Sequence, residues 1–184
     1  MTGFSSSRLV EALHAAGPAP DRADRMGLYA FLVGDWTMEA IYHPEAGRTL
    51  EGTGEIHAGW ALEGRAIQDV WITPPRRTRE AGTAPPLDFY GTTLRVYDPG
   101  IDGWHILWID PVKQTYRRQI GRARGRDIVQ EGTDEAGNRV RWSFTEITPA
   151  SFRWLGETSP DDGAAWRLVV EFRARRVGAP PAER

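Results

Sequence analysis

Hydrophobic and polar residues along this chain follow two periods, and the change between them falls at one short stretch. Before Gly34, apolar residues recur at helical spacing. Leu9, Val10 and Leu13 form one stripe behind Ser5, Ser6 and Ser7, any of which can cap a helix running to about Ala16. Gly17-Pro18-Ala19-Pro20 ends it. Met26, Leu28, Tyr29 and Leu32 form a second stripe and predict another short helix over 21–32. From Trp36 the period is two. Trp36, Met38, Ala40 and Tyr42 alternate with Thr37, Glu39, Ile41 and His43, and Leu50, Gly52, Gly54 and Ile56 alternate with Glu51, Thr53, Glu55 and His57. This is the pattern of half-buried antiparallel strands.

Further strands are predicted over 66–73, 89–97, 104–110, 115–121, 127–132, 139–147, 152–157 and 166–175. Turn sequences such as Asp98-Pro99-Gly100 and Thr148-Pro149 separate them. A meander of about ten strands closes to remove its edges. The expected fold is therefore all-β: a single antiparallel up-and-down β-barrel of about ten strands with short N-terminal helices. The expected layout is a helical arm over 1–26, the barrel over 27–177 and a tail over 178–184. Segment 74–86 holds four prolines and three arginines. Proline cannot donate to a ladder, so this segment is expected to be a mobile loop at one barrel opening.

Composition narrows the function classes. The chain has 184 residues with 40% hydrophobic and 26% charged, a net charge of −2 and no cysteine. That charge opposes a nucleic-acid footprint. Without cysteine there is no disulfide, thiolate chemistry or Cys-ligated metal, which fits a cytoplasmic protein. No secretory leader is visible, and no apolar run approaches the ~18 residues of a membrane span. Eight tryptophans are many for this length; such large amphipathic side chains fill a core or line a pocket.

Phe31-Leu32-Val33-Gly34-Asp35-Trp36 resembles the short-helix-then-G-x-W signature of the calycins, the superfamily of lipocalins, fatty-acid-binding proteins and nitrobindin-like barrels. The chain more closely resembles a bacterial lipocalin-like family of unknown function. The supporting stretches are Leu62-Glu63-Gly64-Arg65-Ala66-Ile67-Gln68-Asp69, Tyr97-Asp98-Pro99, Leu107-Trp108-Ile109-Asp110 and Ile147-Thr148-Pro149-Ala150-Ser151-Phe152-Arg153-Trp154. The resemblance implies a barrel plugged at one end by the helix, with Trp36 packed over it. Nitrobindin-like proteins bind haem through a histidine late in the chain. Here no histidine follows His105, so no cofactor and no metal are expected.

The candidate site follows from parity. Trp36, Tyr90, Trp108, Tyr116, Trp142, Phe144, Trp154 and Phe172 are assigned to the interior, alongside small residues such as Ala40, Gly52, Gly54 and Ala66. Large beside small leaves space for a ligand. Of the strand carboxylates Asp69, Asp110, Glu131 and Glu146, Glu146 shares the parity of Trp142 and Phe144, with Arg118, Tyr116 and Gln130 as candidate partners. The expected ligand-binding set is Tyr90, Trp108, Tyr116, Arg118, Trp142, Phe144, Glu146 and Trp154. Among the histidines only His105 is expected to face a cavity. Asp110, before Pro111, also reads as a turn-initiating residue. Ser159-Pro160-Asp161-Asp162-Gly163 reads as a hairpin turn.

Three functions compete. The first is a binding protein for a small, largely apolar, aromatic or lipid-like molecule inside the barrel. The second is an isomerase-, cyclase- or hydratase-type enzyme using Glu146, Asp110, His105 or a tyrosine as acid–base groups. The third is a structural domain with a filled core and a homodimer through the N-terminal helices. The first is preferred because no catalytic set stands out.

Overall fold

The computed structural model describes residues 7–45, 47–79 and 87–179. Ten antiparallel strands, each paired with its sequence neighbours, close into a barrel. They are β2 (Gly34–Glu45), β3 (Arg48–Ala61), β4 (Ala66–Thr73), β5 (Phe89–Asp98), β6 (Gly103–Asp110), β7 (Thr115–Arg124), β8 (Asp127–Thr133), β9 (Arg139–Thr145), β10 (Ser151–Ser159) and β11 (Arg167–Arg176). Closure is made by β11 on β2, with Phe172 opposite Ala40 and Ala174 opposite Met38. Before the barrel come helix α1 (Arg8–Leu13), the two-residue strand β1 (His14–Ala15), a 3₁₀ turn (Pro20–Arg22) and helix α2 (Ala23–Ala30). Ser7 caps α1 through its hydroxyl. β1 pairs with Trp60 and Ala61 of β3, beyond the point where β2 begins opposite Ala58.

The glycine–tryptophan stretch closes one end. Met26, Tyr29 and Leu32 on and just after α2 are fully buried, as is Trp36. The Trp36 indole N–H donates to the Leu32 carbonyl at 2.8 Å, and its ring packs edge-on against Phe152, 4.9 Å between centroids. The guanidinium of Arg176, on the last strand, lies 4.1 Å from the Trp36 ring centre. It donates to the carbonyls of Val33 and Phe31 at 2.8 and 2.7 Å and to that of Pro149 at 2.7 Å. The Phe31 and Val33 carbonyls follow the end of α2 and have no helical partner, so the arginine satisfies them. Gly34 sits at φ +128°, and a Cβ there would lie 2.5 Å from Arg176 Nη1; only glycine fits beneath the arginine.

From this plug an unbroken series of rings runs up the barrel. Tyr29 meets Trp104 at 4.9 Å, Phe31 meets Phe144 at 5.5 Å, and Phe144 meets Phe152 at 5.4 Å. Trp104 is 2% exposed and belongs to this closed end, on the same strand face as Trp108. The expected hairpin turn between β10 and β11 is present. Ser159 Oγ and Asp161 Oδ1 share a hydrogen bond of 2.6 Å and accept from the backbone N–H groups of Gly163 and Ala165.

Small interior residues do not create the hollow in the way their size suggests. A Cβ on Gly54 would meet Met38 Cε at 2.3 Å, and one on Gly52 would meet the Leu87 side chain at 3.2 Å. Neighbouring side chains already occupy the room those glycines leave.

Candidate functional site

The opposite end of the barrel stays open. A cavity of about 350 Å³ enters between the β6–β7 turn, the flanks of segment 74–86 and the start of β11. Its lining combines two chemistries. Tyr42, Trp71, Phe89, Trp108, Trp142, Trp154 and Phe172 supply rings. Trp154 stacks on Phe172 at 5.0 Å, Trp142 meets Trp154 at 5.4 Å, and Trp71 meets Phe172 at 5.5 Å. Thr93, Arg95, Asp110, Lys113, Thr115 and Arg117, on β5 to β7 around Trp108, supply polar groups. A broader hollow of about 950 Å³ lies over β2, β3, β10 and β11, bordered by charged and hydroxyl side chains together with Met38, Pro75, Phe152 and Ala174.

The polar wall comes from strands whose alternation runs against the usual rule. Pairing of Thr93 with Trp108, Arg95 with Ile106, Trp108 with Arg117 and Ile106 with Gln119 puts the odd residues of β5 and β7 inside. They include the polar Thr93, Arg95, Arg117 and Gln119 beside Phe89 and Tyr97, while Tyr90, Leu94, Val96, Tyr116 and Ile120 face outward. Arg95 marks the cavity floor. It is 1% exposed, its Nη1 bonds the equally buried Asp69 carboxylate, and its Cζ lies 5.4 and 5.7 Å from the Tyr29 and Phe144 ring centres. Among the described residues its Nε–H has no hydrogen-bond partner, nor has Asp69 Oδ1. Burial pushes the Asp69 carboxyl up, with Arg95 pulling against it. Burial likewise pushes up the Tyr29 phenol, which hydrogen-bonds Gln130 at 3.3 Å. At the rim Asp110 is 2% exposed, and its Oδ1 accepts from the N–H groups of Val112 and Lys113 at 2.9 and 3.1 Å. It thus both initiates the turn and lines the cavity.

The expected ligand-binding residues divide. Trp108, Trp142 and Trp154 line the cavity. Phe144 is fully buried one layer below, beneath Arg95. Tyr90, Tyr116, Arg118 and Glu146 face outward instead. Tyr90 and Tyr116 are 37% and 56% exposed, and Arg118 is exposed too. Glu146 lies past the end of β9 at φ +51°, which breaks the alternation shared by Trp142 and Phe144; it pairs weakly with Arg153 at 3.5 Å. His105 also faces outward, its Nε2 2.9 Å from Asp98, because Trp104 and Ile106 take the interior positions. Of the acid–base candidates named above as single residues, Asp110 alone is in the cavity wall. Glu131 pairs with Arg124 at 3.5 Å.

Arg95, Arg117, Trp71, Phe89, Thr93 and Lys113 were absent from the expected set. Leu87, just after segment 74–86, lines the cavity. Arg76 is tied to Glu55 at 2.7 Å and to His57 Nε2 at 3.0 Å, and Arg79 donates to the Thr73 carbonyl at 2.9 Å. Residues 80–86, where the expected mobility also falls, lie outside the described residues. Among the described residues no group of three or more His, Asp or Glu side chains is arranged to hold a metal ion, and no helix is long and apolar enough to cross a membrane.

No protein-family model matches the chain, and no curated protein matches it. Among solved structures the chain is similar to the crystal structure of Rv2717c from M. tuberculosis. The two share 13% sequence identity with a TM-score of 0.57, and the match covers 86% of this chain and 98% of that one. At that identity the likeness concerns the fold, and together with the closed ten-stranded barrel it fits a calycin-like fold.

Proposed function

We propose that this protein binds a small, largely apolar, aromatic molecule in the open half of its barrel. We also assign it to the bacterial lipocalin-like proteins whose sequence stretches it resembles. The observation that carries the binding reading is the cavity of about 350 Å³, lined by seven aromatic residues. Ligand sites are concave and mostly apolar, with a few convergent polar groups, and begin at about this size. The interior of the closed end is filled by rings in mutual contact, and the hollow of about 840 Å³ at that end is a surface groove bordered by the exposed Gly27, Gly125, Arg126 and Glu146, so the ligand belongs above Arg95 and not near Trp36. Flat rings along the wall favour a planar ligand that stacks or meets them edge-on.

The test is a fluorescence titration of the full-length protein with acetylnaphthalene, a neutral two-ring arene. Trp71, Trp108, Trp142 and Trp154 all border the cavity, so saturable quenching is expected. Quenching that grows linearly with probe concentration and never saturates would remove the reading.

A further inference from the structure

We propose that the cavity selects a compact aromatic anion, an arene bearing a carboxylate-like group, with its ring against the tryptophan wall and its charge on the Arg95 guanidinium at the floor. This rests on the binding function above and names the chemistry of the ligand.

Charge complementarity points to the anion. Among the described residues, three cationic side chains, Arg95, Lys113 and Arg117, line the cavity, against one carboxylate, Asp110. That carboxylate already accepts two backbone N–H groups through Oδ1. Arg117 is paired with Glu135, which is 59% exposed at the rim, so solvent screens that partner. Lys113 holds its ammonium 6.0 Å from the Phe89 ring centre, over the mouth. Arg95 is more specific. Asp69 engages it through Nη1 alone, and its Nε–H is buried without a partner among the described residues. A buried donor left unfilled is costly, and the guanidinium fork is shaped to take a carboxylate. A ligand carboxylate at the floor would sit against the part of Arg95 that borders the cavity.

Size and wall chemistry define the rest of the ligand. A cavity of about 350 Å³ suits a molecule of two fused rings. An extended alkyl chain would have to coil, losing the ring contacts that the wall provides and paying chain entropy.

The experiment titrates the full-length protein with three probes at fixed salt, following tryptophan quenching. They are naphthoate, acetylnaphthalene, which has nearly the same shape and no charge, and a straight-chain carboxylate with as many carbons as naphthoate. Naphthoate is expected to bind about tenfold or more tightly than either of the others. The double variant Asp69→Asn, Arg95→Gln removes both charges of the buried pair together and leaves neither unpaired. In it, the preference for naphthoate over acetylnaphthalene is expected to disappear. Equal affinities in the native protein, or a preference for naphthoate that survives in the double variant, would overturn the proposal. So would a straight-chain acid that binds as tightly as naphthoate. Circular dichroism reports whether the double variant folds. If it does not, a crystal structure of the naphthoate complex decides: a carboxylate within hydrogen-bond reach of Arg95 upholds the proposal, and one at the rim overturns it. Binding of acetylnaphthalene without naphthoate sinks this inference and leaves the binding function standing. Loss of all three probes sinks both.

Discussion

At the scale of single residues, two arginine clusters hold the barrel together. Arg176 lies on Trp36 and collects three carbonyls that the end of α2 and the β9–β10 turn leave open. Trp36 is fully buried and in contact with Phe152, so Trp36→Ala removes a large ring and leaves the arginine over a void. The expected cost is roughly 3–5 kcal/mol, read from urea denaturation midpoints. An unchanged midpoint would mean the plug is not anchored there. Glu171 is the centre of the second cluster, bonded by Arg153 at 2.9 Å through each oxygen and by Arg173 at 2.7 Å. Burial alone would raise its pKa, but the two arginines outweigh burial and hold it below the usual glutamate value. A carboxyl depressed in the folded state contributes stability above its unfolded pKa, and that contribution is lost as pH falls through the folded value. Glu171→Gln is therefore expected to be less stable at neutral pH by about 1 kcal/mol, discounted because both arginines are partly exposed. The difference should shrink as pH falls below the usual glutamate value, through the depressed one at which the native carboxylate protonates. A gap of constant size through that range would mean that the glutamate charge is not what the arginines hold.

At the scale of elements, legibility depended on whether the apolar face of a strand is also its inner face. On β2 it is: Trp36, Met38 and Ala40 are buried, as their alternation predicts. All ten barrel strands were legible as strands, from their alternation and the turn sequences between them. The expected ladder over 139–147 runs two residues too far, since Glu146 adopts a positive φ that no local turn signal announces. On β5 and β7 the rule inverts. Closure against Trp104 and Trp108 of β6 puts Thr93, Arg95, Arg117 and Gln119 inside, and pairing register, a property of the whole sheet, overrides local hydrophobicity. This is why Tyr90, Tyr116 and Arg118 were misplaced and Arg95 missed. The available signal was a strand with its arginine in line with Phe89, Gly91 and Tyr97. Gly91 is part of how β6 presents its ring. A Cβ there would lie 2.4 Å from the Trp108 ring and 2.8 Å from the Ile109 carbonyl oxygen, so Gly91→Ala must push Trp108 into the cavity. The expected result is a folded protein, destabilised by about 1–3 kcal/mol, that loses acetylnaphthalene quenching. Quenching retained at native affinity would mean Trp108 does not shape the site.

The whole molecule divides along its axis into a packed half and a hollow half, with Arg95 between them. Below it, Tyr29, Trp36, Trp104 and Phe144 are buried and touch neighbouring rings. Above it, the rings have contacts on one side and cavity on the other. A close-packed ring loses all its neighbours when truncated, whereas a cavity-facing ring loses only some, so the same substitution should have different effects in the two halves. Trp104→Ala is expected to lower the denaturation midpoint strongly, by the equivalent of roughly 3–5 kcal/mol, and to leave probe affinity nearly unchanged wherever the protein still folds. Trp142→Ala, at a half-buried position in the cavity wall, is expected to cost less stability and to weaken acetylnaphthalene binding. A ligand that binds only the folded state should raise the native midpoint by about 2.7 kcal/mol at a hundred times its dissociation constant, and this gain should vanish in the Trp142 variant and persist in the Trp104 variant. The reverse pattern, with probe lost on changing Trp104 and kept on changing Trp142, would place the ligand at the plugged end and reverse the polarity assigned to the barrel.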